Sequence, residues 1–243
     1  MLPSDYLEFY TGLDLNTVWQ HCNFAGLDGR TGLLELAAVK YYTRPTSETG
    51  LVPYGFEEIE SSDNAFQVFE NRNALPISYT YNQYITREEY EALSGLEKEQ
   101  ALLQAAVLEI VPAGFDTADI QPELIPLDYR IIETAGVEWS DQHLEAEGGG
   151  TISLSADVPE GCEVYMVLQG ARTSDRQSSN ILLNAGRAAE DFSVEKQAVI
   201  LRPESHWYFE RDAVVFNLGP GHPGKNDFVL AFDGDSSLDL ENL

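Results

Sequence analysis

An α+β domain with a small antiparallel sheet and helices, followed by an all-β, jelly-roll-like sandwich, is the fold this sequence predicts. Two observations carry it. In the first half, helix-start signals sit among short β-branched and aromatic runs. In the second half, many short strand candidates are set apart by Gly, Pro, Asp and Ser. Pro112, Gly114, Pro122 and Pro126 break regular structure between the halves. The expected division is residues 1–115 as the α+β domain, 116–128 as a linker, and 129–243 as the sandwich with an acidic C-terminal tail.

Along the first half, Thr31 is expected to cap a short helix through Leu33, Leu34, Leu36 and Ala37. Residues 39–43 then read as strand, and Arg44-Pro45 ends it because proline has no N–H to offer a ladder. Residues 56–59 and 65–69 are strand candidates, with Ser61-Ser62-Asp63-Asn64 as the turn between them. A third strand is expected from Pro76 or Ile77 to Tyr84. Helix signals follow. Thr86 with Glu89, and Ser94 with Glu97, fit two capping boxes. In the second helix Leu96, Leu103 and Val107 share a side, widened by Leu102, Ala106 and Ile110, and this stripe is expected to cover the sheet.

Strand candidates of the second half are 130–133, 151–155, 164–169, 180–183, 197–201, 207–209, 213–217 and 228–232. Gly148-Gly149-Gly150-Thr151 lacks the lysine and spacing of a phosphate-binding loop and reads as a flexible turn entering a strand. Residues 233–243 read as a solvated tail or tether.

Composition narrows the function. The 243 residues hold 14 Lys+Arg against 41 Asp+Glu, a formal charge of -27 at pH 7. That charge repels nucleic-acid phosphates and anionic headgroups, so no nucleic-acid partner is expected. No window reaches the roughly 18 apolar residues of a membrane-spanning helix. MLPSDYLEFY has neither the basic start nor the apolar run of a secretory signal. Cys22 and Cys162 show no CxxC spacing, which leaves two separate thiols or one long-range disulfide.

Candidate chemistry is sparse. His21, His143, His206 and His222 lack metal-ligand spacing, and no GxSxG is present. Asp233-Gly234-Asp235 follows an apolar run, so Asp233 and Asp235 are a weak candidate for Ca²⁺; otherwise no cofactor or metal is expected and no residue is assigned a catalytic role. Glu57-Glu58, Glu88-Glu89 and Glu123 supply carboxylates for a glycosidase in number only. Tyrosines are a more physical hint: Tyr41, Tyr42, Tyr54, Tyr79, Tyr81 and Tyr84 gather in the sheet-forming part, where rings pack the scaffold or stack on sugar faces. Trp139, Trp207 and Tyr208 pose the same choice in the second half. Asn71 and Asn73 suit a tight turn, with Pro76 setting the exit, while Arg72 offers a guanidinium to an anion. The ligand-facing candidates are therefore Tyr42, Asn71, Arg72, Asn73, Tyr79 and Tyr81.

Several segments resemble one family. Asn23-Phe24-Ala25-Gly26-Leu27-Asp28 precedes Leu33-Leu34-Glu35-Leu36-Ala37-Ala38-Val39-Lys40-Tyr41-Tyr42, and Val68-Phe69-Glu70-Asn71-Arg72-Asn73-Ala74-Leu75-Pro76 follows. A helical passage ends in Gln104-Ala105-Ala106-Val107-Leu108, and Val158-Pro159-Glu160-Gly161 leads into Val164-Tyr165-Met166. This succession is similar to the extracytoplasmic portion of polytopic bacterial membrane proteins of the YfhO type. The resemblance implies glycosyl transfer at a cell envelope, by membrane enzymes that use polyprenyl-phosphate-linked sugars, some implicated in decorating teichoic acids. It places the acidic catalytic residue among early membrane helices that this sequence does not contain. The chain is then expected to be a non-catalytic portion on the extracellular side of the cell membrane. Its partners would be the transmembrane part of the same polypeptide and an envelope glycan or teichoic acid acceptor. The competing readings are a secreted carbohydrate- or protein-binding module and a secreted glycoside hydrolase.

Overall fold

The computed structural model of the protein describes residues 4–16, 27–48, 52–61, 65–111, 113–114, 120, 124–140, 142–188, 196–205, 208 and 213–243. His21, Cys22, Glu123, His206 and Trp207 lie outside them, as do most of the expected turn at 61–64 and of the strand at 207–209. The chain forms two compact units, one of Gly29–Ile125 and one of Met1–Asp28 with Pro126–Leu243.

The first of these contains α2 (Thr31–Leu36), β1 (Tyr41–Pro45), β2 (Phe56–Ile59), β3 (Phe66–Asn71), β4 (Tyr84–Thr86), α3 (Arg87–Glu91), α4 (Gly95–Gln104) and β5 (Ala106–Leu108). Strands β1, β3 and β2 form an antiparallel sheet with β3 in the middle. The third strand expected up to Tyr84 is absent: Pro76 offers no ladder N–H, Ile77 is 96% exposed, and only Tyr84–Thr86 is extended, pairing in parallel with β5. Both capping boxes form. Thr86 accepts from the Glu89 N–H while the Glu89 carboxylate takes the Thr86 N–H, and Ser94 and Glu97 repeat the arrangement.

Helix α2 starts one residue earlier than expected, at Thr31, with Arg30 as its N-cap and no side-chain cap of its own. A carboxylate from another helix replaces the cap. Glu99 of α4 accepts from the Leu33 N–H at 3.2 Å and from Arg30 Nε at 2.6 Å, and Arg30 also donates to the Gly95 carbonyl at 2.9 Å. Gly32 permits the approach, because a Cβ there would lie 2.6 Å from Glu99 Oε1. This buried pair turns α4 over. Its buried face is Gly95, Lys98, Glu99 and Ala101, whereas Leu103 is exposed, Val107 has passed into β5, and Ile110 is 84% exposed. The expected leucine stripe is therefore not the face that α4 buries.

The second unit holds α1 (Ser4–Gly12), β6 (Tyr129–Ser140), β7 (His143–Val158), β8 (Glu163–Gln169), β9 (Arg172–Thr173), β10 (Ile181–Arg187), β11 (Lys196–Ile200), β12 (Ala213–Pro220), β13 (Gly224–Asp233) and β14 (Ser236–Asp239). Near its start, Asn16 donates to the Val215 carbonyl of β12 at 2.5 Å. Ile152, Leu154, Leu168, Leu183, Phe216, Leu230 and Leu238 centre the core.

The strand pairing corrects the jelly-roll sandwich. Six strands follow one path, β11-β10-β13-β7-β14-β9, as a nearly closed antiparallel barrel, with β6 along the other edge of β7 and β8–β12 as a separate ribbon. The fold is mixed α/β, with small sheets and helices in addition to this barrel. What defeats the sandwich is the length of β7. The glycines expected to form a turn lie inside it, so one strand of 16 residues pairs β14 with its first part and β13 with its second. The pairings Phe232↔Gly150 and Ser236↔Ala146 keep one register across the interruption, so β13 and β14 form a single line kinked at 233–235. The acidic tail is thereby part of the sheet: Leu238 and Leu240 are buried, alternating with exposed Asp239 and Glu241.

Removing Glu99 tests the inter-helix pair. Glu99→Ala strands a buried guanidinium and should lower stability by about 3–5 kcal/mol in urea unfolding, and Glu99→Gln, which keeps an acceptor, by less.

Candidate functional site

The segment Asn71-Arg72-Asn73-Ala74-Leu75 is a turn built from inside outward. Asn71 ends β3, and its buried side chain closes an Asx turn by accepting from the Asn73 N–H at 3.0 Å. Its amide donates to the Val39 carbonyl at 3.4 Å, and its own N–H reaches the Lys40 carbonyl at 2.8 Å. Leu75 N–H donates to the Glu35 carbonyl at 3.2 Å, which fastens the turn to the end of α2. With Asn71 held inside, Arg72 and Asn73 are left at the surface. Arg72 Nε lies 3.0 Å from Glu57 Oε2, both side chains more than half exposed, so solvent screens the pair.

Tyr42 is committed to packing. Its ring meets Phe56 edge-on at 6.4 Å and Phe69 at 5.9 Å, while the Arg44 guanidinium lies over Phe69 at 5.2 Å. Tyr79 and Tyr81 form a pair of their own, edge to face at 5.4 Å. The Tyr81 hydroxyl donates to the Leu102 carbonyl. Burial, reinforced by the hydrogen bond and charge of Tyr79, pushes the Tyr81 phenol well above the usual range. The six candidates thus fall into three places: the Asn71–Asn73 turn, the Tyr42 packing face, and the Tyr79–Tyr81 pair.

Asp235 has a structural task. Its carboxylate accepts from the Gly148 N–H at 2.6 Å, joining the kink at 233–235 to the glycines of β7. Among the described residues no three His, Cys, Asp or Glu side chains gather as metal ligands. His143 Nδ1 is 2.7 Å from Asp239 Oδ1 across the β7–β14 ladder. Cys162 is a half-buried free thiol.

A shallow pocket that sequence reasoning did not assemble lies where the barrel nearly closes. Arg172 and Thr173 of β9 line it with Val199 and Ile200 of β11, and the other lining residues include Leu201, Tyr208 and Val214. Tyr208 stood among the candidate rings, but nothing in the spacing of residues 172, 200 and 214 foretells that strand order would bring them together.

Comparison with known proteins places these features. The family described as "Bacterial membrane protein YfhO" matches the chain over residues 1–243. A protein of Bacillus subtilis (strain 168) named "Uncharacterized protein YfhO" is 33% identical over 111 residues, which cover 45% of this chain and 13% of that protein. Among the described residues no helix is long and apolar enough to cross a membrane.

Tyr81 provides a pH test. A phenol is neutral while protonated, so a raised folded pKa means the folded state keeps a proton that the unfolded state gives up near pH 10. Stability should fall as pH rises past that point. In Tyr81→Phe this loss should be smaller, as read by ultraviolet titration and urea unfolding between about pH 9 and 11.5.

Proposed function

Because this chain belongs to the YfhO family of bacterial membrane proteins, we propose that it is a non-catalytic portion on the extracellular side of such a protein. There it holds an envelope polymer for glycosylation by the membrane-embedded part. The polymer proposed is an envelope glycan or teichoic acid; a phosphate on it would have to reach Arg72 against the overall negative field, so its binding is local and weak. The observation that carries this reading is the Asn71 turn. A buried amide with partners on both sides fixes the backbone and leaves the guanidinium of Arg72 and the amide of Asn73 facing solvent. On a chain of formal charge -27 the exposed guanidinium of Arg72, only loosely paired with Glu57, is a group that an anion can engage. Tyr79, 37% exposed, offers an apolar ring to a sugar, and its T-shaped contact with Tyr81 supports it. Asn71, Tyr42 and Tyr81 serve in this scheme as supports, and Arg72, Asn73 and Tyr79 as contacts.

Titration of a ¹⁵N-labelled chain with short polyol-phosphate oligomers tests the reading. The amides of Arg72 and Asn73 should shift in a saturable way, and Arg72→Ala should weaken binding by about two- to fivefold, as an exposed ion pair warrants. Unmoved Arg72 and Asn73 amides at millimolar oligomer would remove the ligand role and leave bracing of the membrane part.

A further inference from the structure

Strand β6 leaves the larger unit unfinished along one edge. Among the described residues it pairs with β7 alone, so along residues 129–135 one row of its N–H and C=O groups has no described strand across it. Natural edge strands are blunted by short length, proline, charge or bulges; β6 carries two register shifts and the charges of Arg130, Glu133 and Glu138, but it is 12 residues long and has no proline or lysine. Its side chains add a second, independent sign. Tyr129 and Ile131 lie opposite Ala156 and Leu154, so they stand on the face that carries these core residues, yet they are 40% and 46% exposed. Ile132, the extra residue at the register shift before Glu133, is 53% exposed. Farther along, Val137 is buried and Trp139 packs on the core. The core is therefore covered beside the end of β6 and uncovered beside its start.

Charge decides what can lie there. A second copy of the chain would bring another -27 against the first, and its own Glu133 and Glu138 toward these. A cationic segment meets the opposite field, with Asp128, Glu133 and Glu138 exposed along the edge against one exposed cation there, Arg130. We infer that the free edge of β6 takes up an extended polypeptide segment of alternating apolar and Lys or Arg residues. The segment adds to the sheet as a further strand beside residues 129–135. Main-chain hydrogen bonds supply the affinity, its apolar side chains cover Tyr129 and Ile131, and its cations set the preference among partners. This surface belongs to the barrel unit and does not depend on the glycan reading.

The test uses the whole chain and a blocked peptide of about nine residues, long enough for one strand, that alternates Val and Lys. Two controls accompany it: the same peptide with Glu for Lys, and the same peptide with a central proline. Saturable binding is expected, with slowed hydrogen exchange at outward amides of residues 129–135. Both control peptides should bind at least roughly tenfold more weakly. Ile131→Lys, at an exposed position, should weaken the Val/Lys peptide by about fivefold or more with an unchanged circular dichroism spectrum. Should that variant fail to fold, the proline peptide against the unmodified chain still decides. Three results would overturn the inference: no movement of these amides at millimolar peptide, equal binding of either control peptide, or a dimer through the same amides without peptide.

Discussion

Gly136, the run Gly148–Gly150 and Gly234 lie side by side on neighbouring strands, and along that line backbone meets backbone more closely than side chains allow. A Cβ on Gly136 would sit 2.8 Å from the Gly149 carbonyl, one on Gly150 2.6 Å from the Gly136 carbonyl, and one on Gly149 3.0 Å from the Phe232 carbonyl. Gly136, Gly148, Gly149 and Gly234 all take positive φ, a region closed to most residues. The result is a crease running across β6, β7 and the β13–β14 line. On one side of it β13 is flanked by β10; on the other β14 is flanked by β9. Folding at the crease carries the β9 edge round toward β11, which is why both strands line the pocket with Tyr208. Asp235, bonded to the Gly148 N–H, holds the two kinks in step.

The smaller unit is organised by buried polar groups that stand in for missing local ones. Helix α2 has no cap of its own, so Glu99 supplies the acceptor and Arg30 neutralises Glu99. Breaking one member leaves the other charged and dry, so the pair acts as a fixed joint between α2 and α4. Asn71 does comparable work with a neutral amide at the end of β3. A surface placed on such a turn has a defined backbone before any ligand arrives, which lowers the ordering cost of binding.

What could be read from the residues is what local chemistry decides. Thr86…Glu89 and Ser94…Glu97 announce their caps because both partners lie three residues apart, and the Asx turn at Asn71 is likewise a short-range event. The strand at 56–59, and most of the strand expected at 65–69 and found at Phe66–Asn71, follow from β-branched and aromatic runs. The family likeness rested on several such segments and proved right at that level. What failed depends on distant partners. Glu99 reads as a solvated helix residue until Arg30, far off in sequence, is set beside it. Gly148–Gly150 reads as a turn because glycine inside a strand is costly unless another backbone presses against it. With that break assumed, only residues 151–155 of β7 read as strand, and the sheet reads as a sandwich. The tail was misjudged for a related reason: its acids are obvious, whereas the alternation of Leu238 and Leu240 matters only once β7 offers a partner.

The crease is the claim on which the barrel rests, and paired glycine variants address it most directly. A Cβ on Gly148 meets nothing within 4 Å, so Gly148→Ala suffers only the strain of its positive φ, about 1–2 kcal/mol. Gly150 has an ordinary φ but no room between β6 and β7, so Gly150→Ala must push two backbones apart at a cost of about 2–4 kcal/mol. Urea unfolding of both variants should rank Gly150→Ala as the more damaging. A Gly150→Ala chain as stable as the original would contradict the close approach of the strands and the account of how the barrel bends.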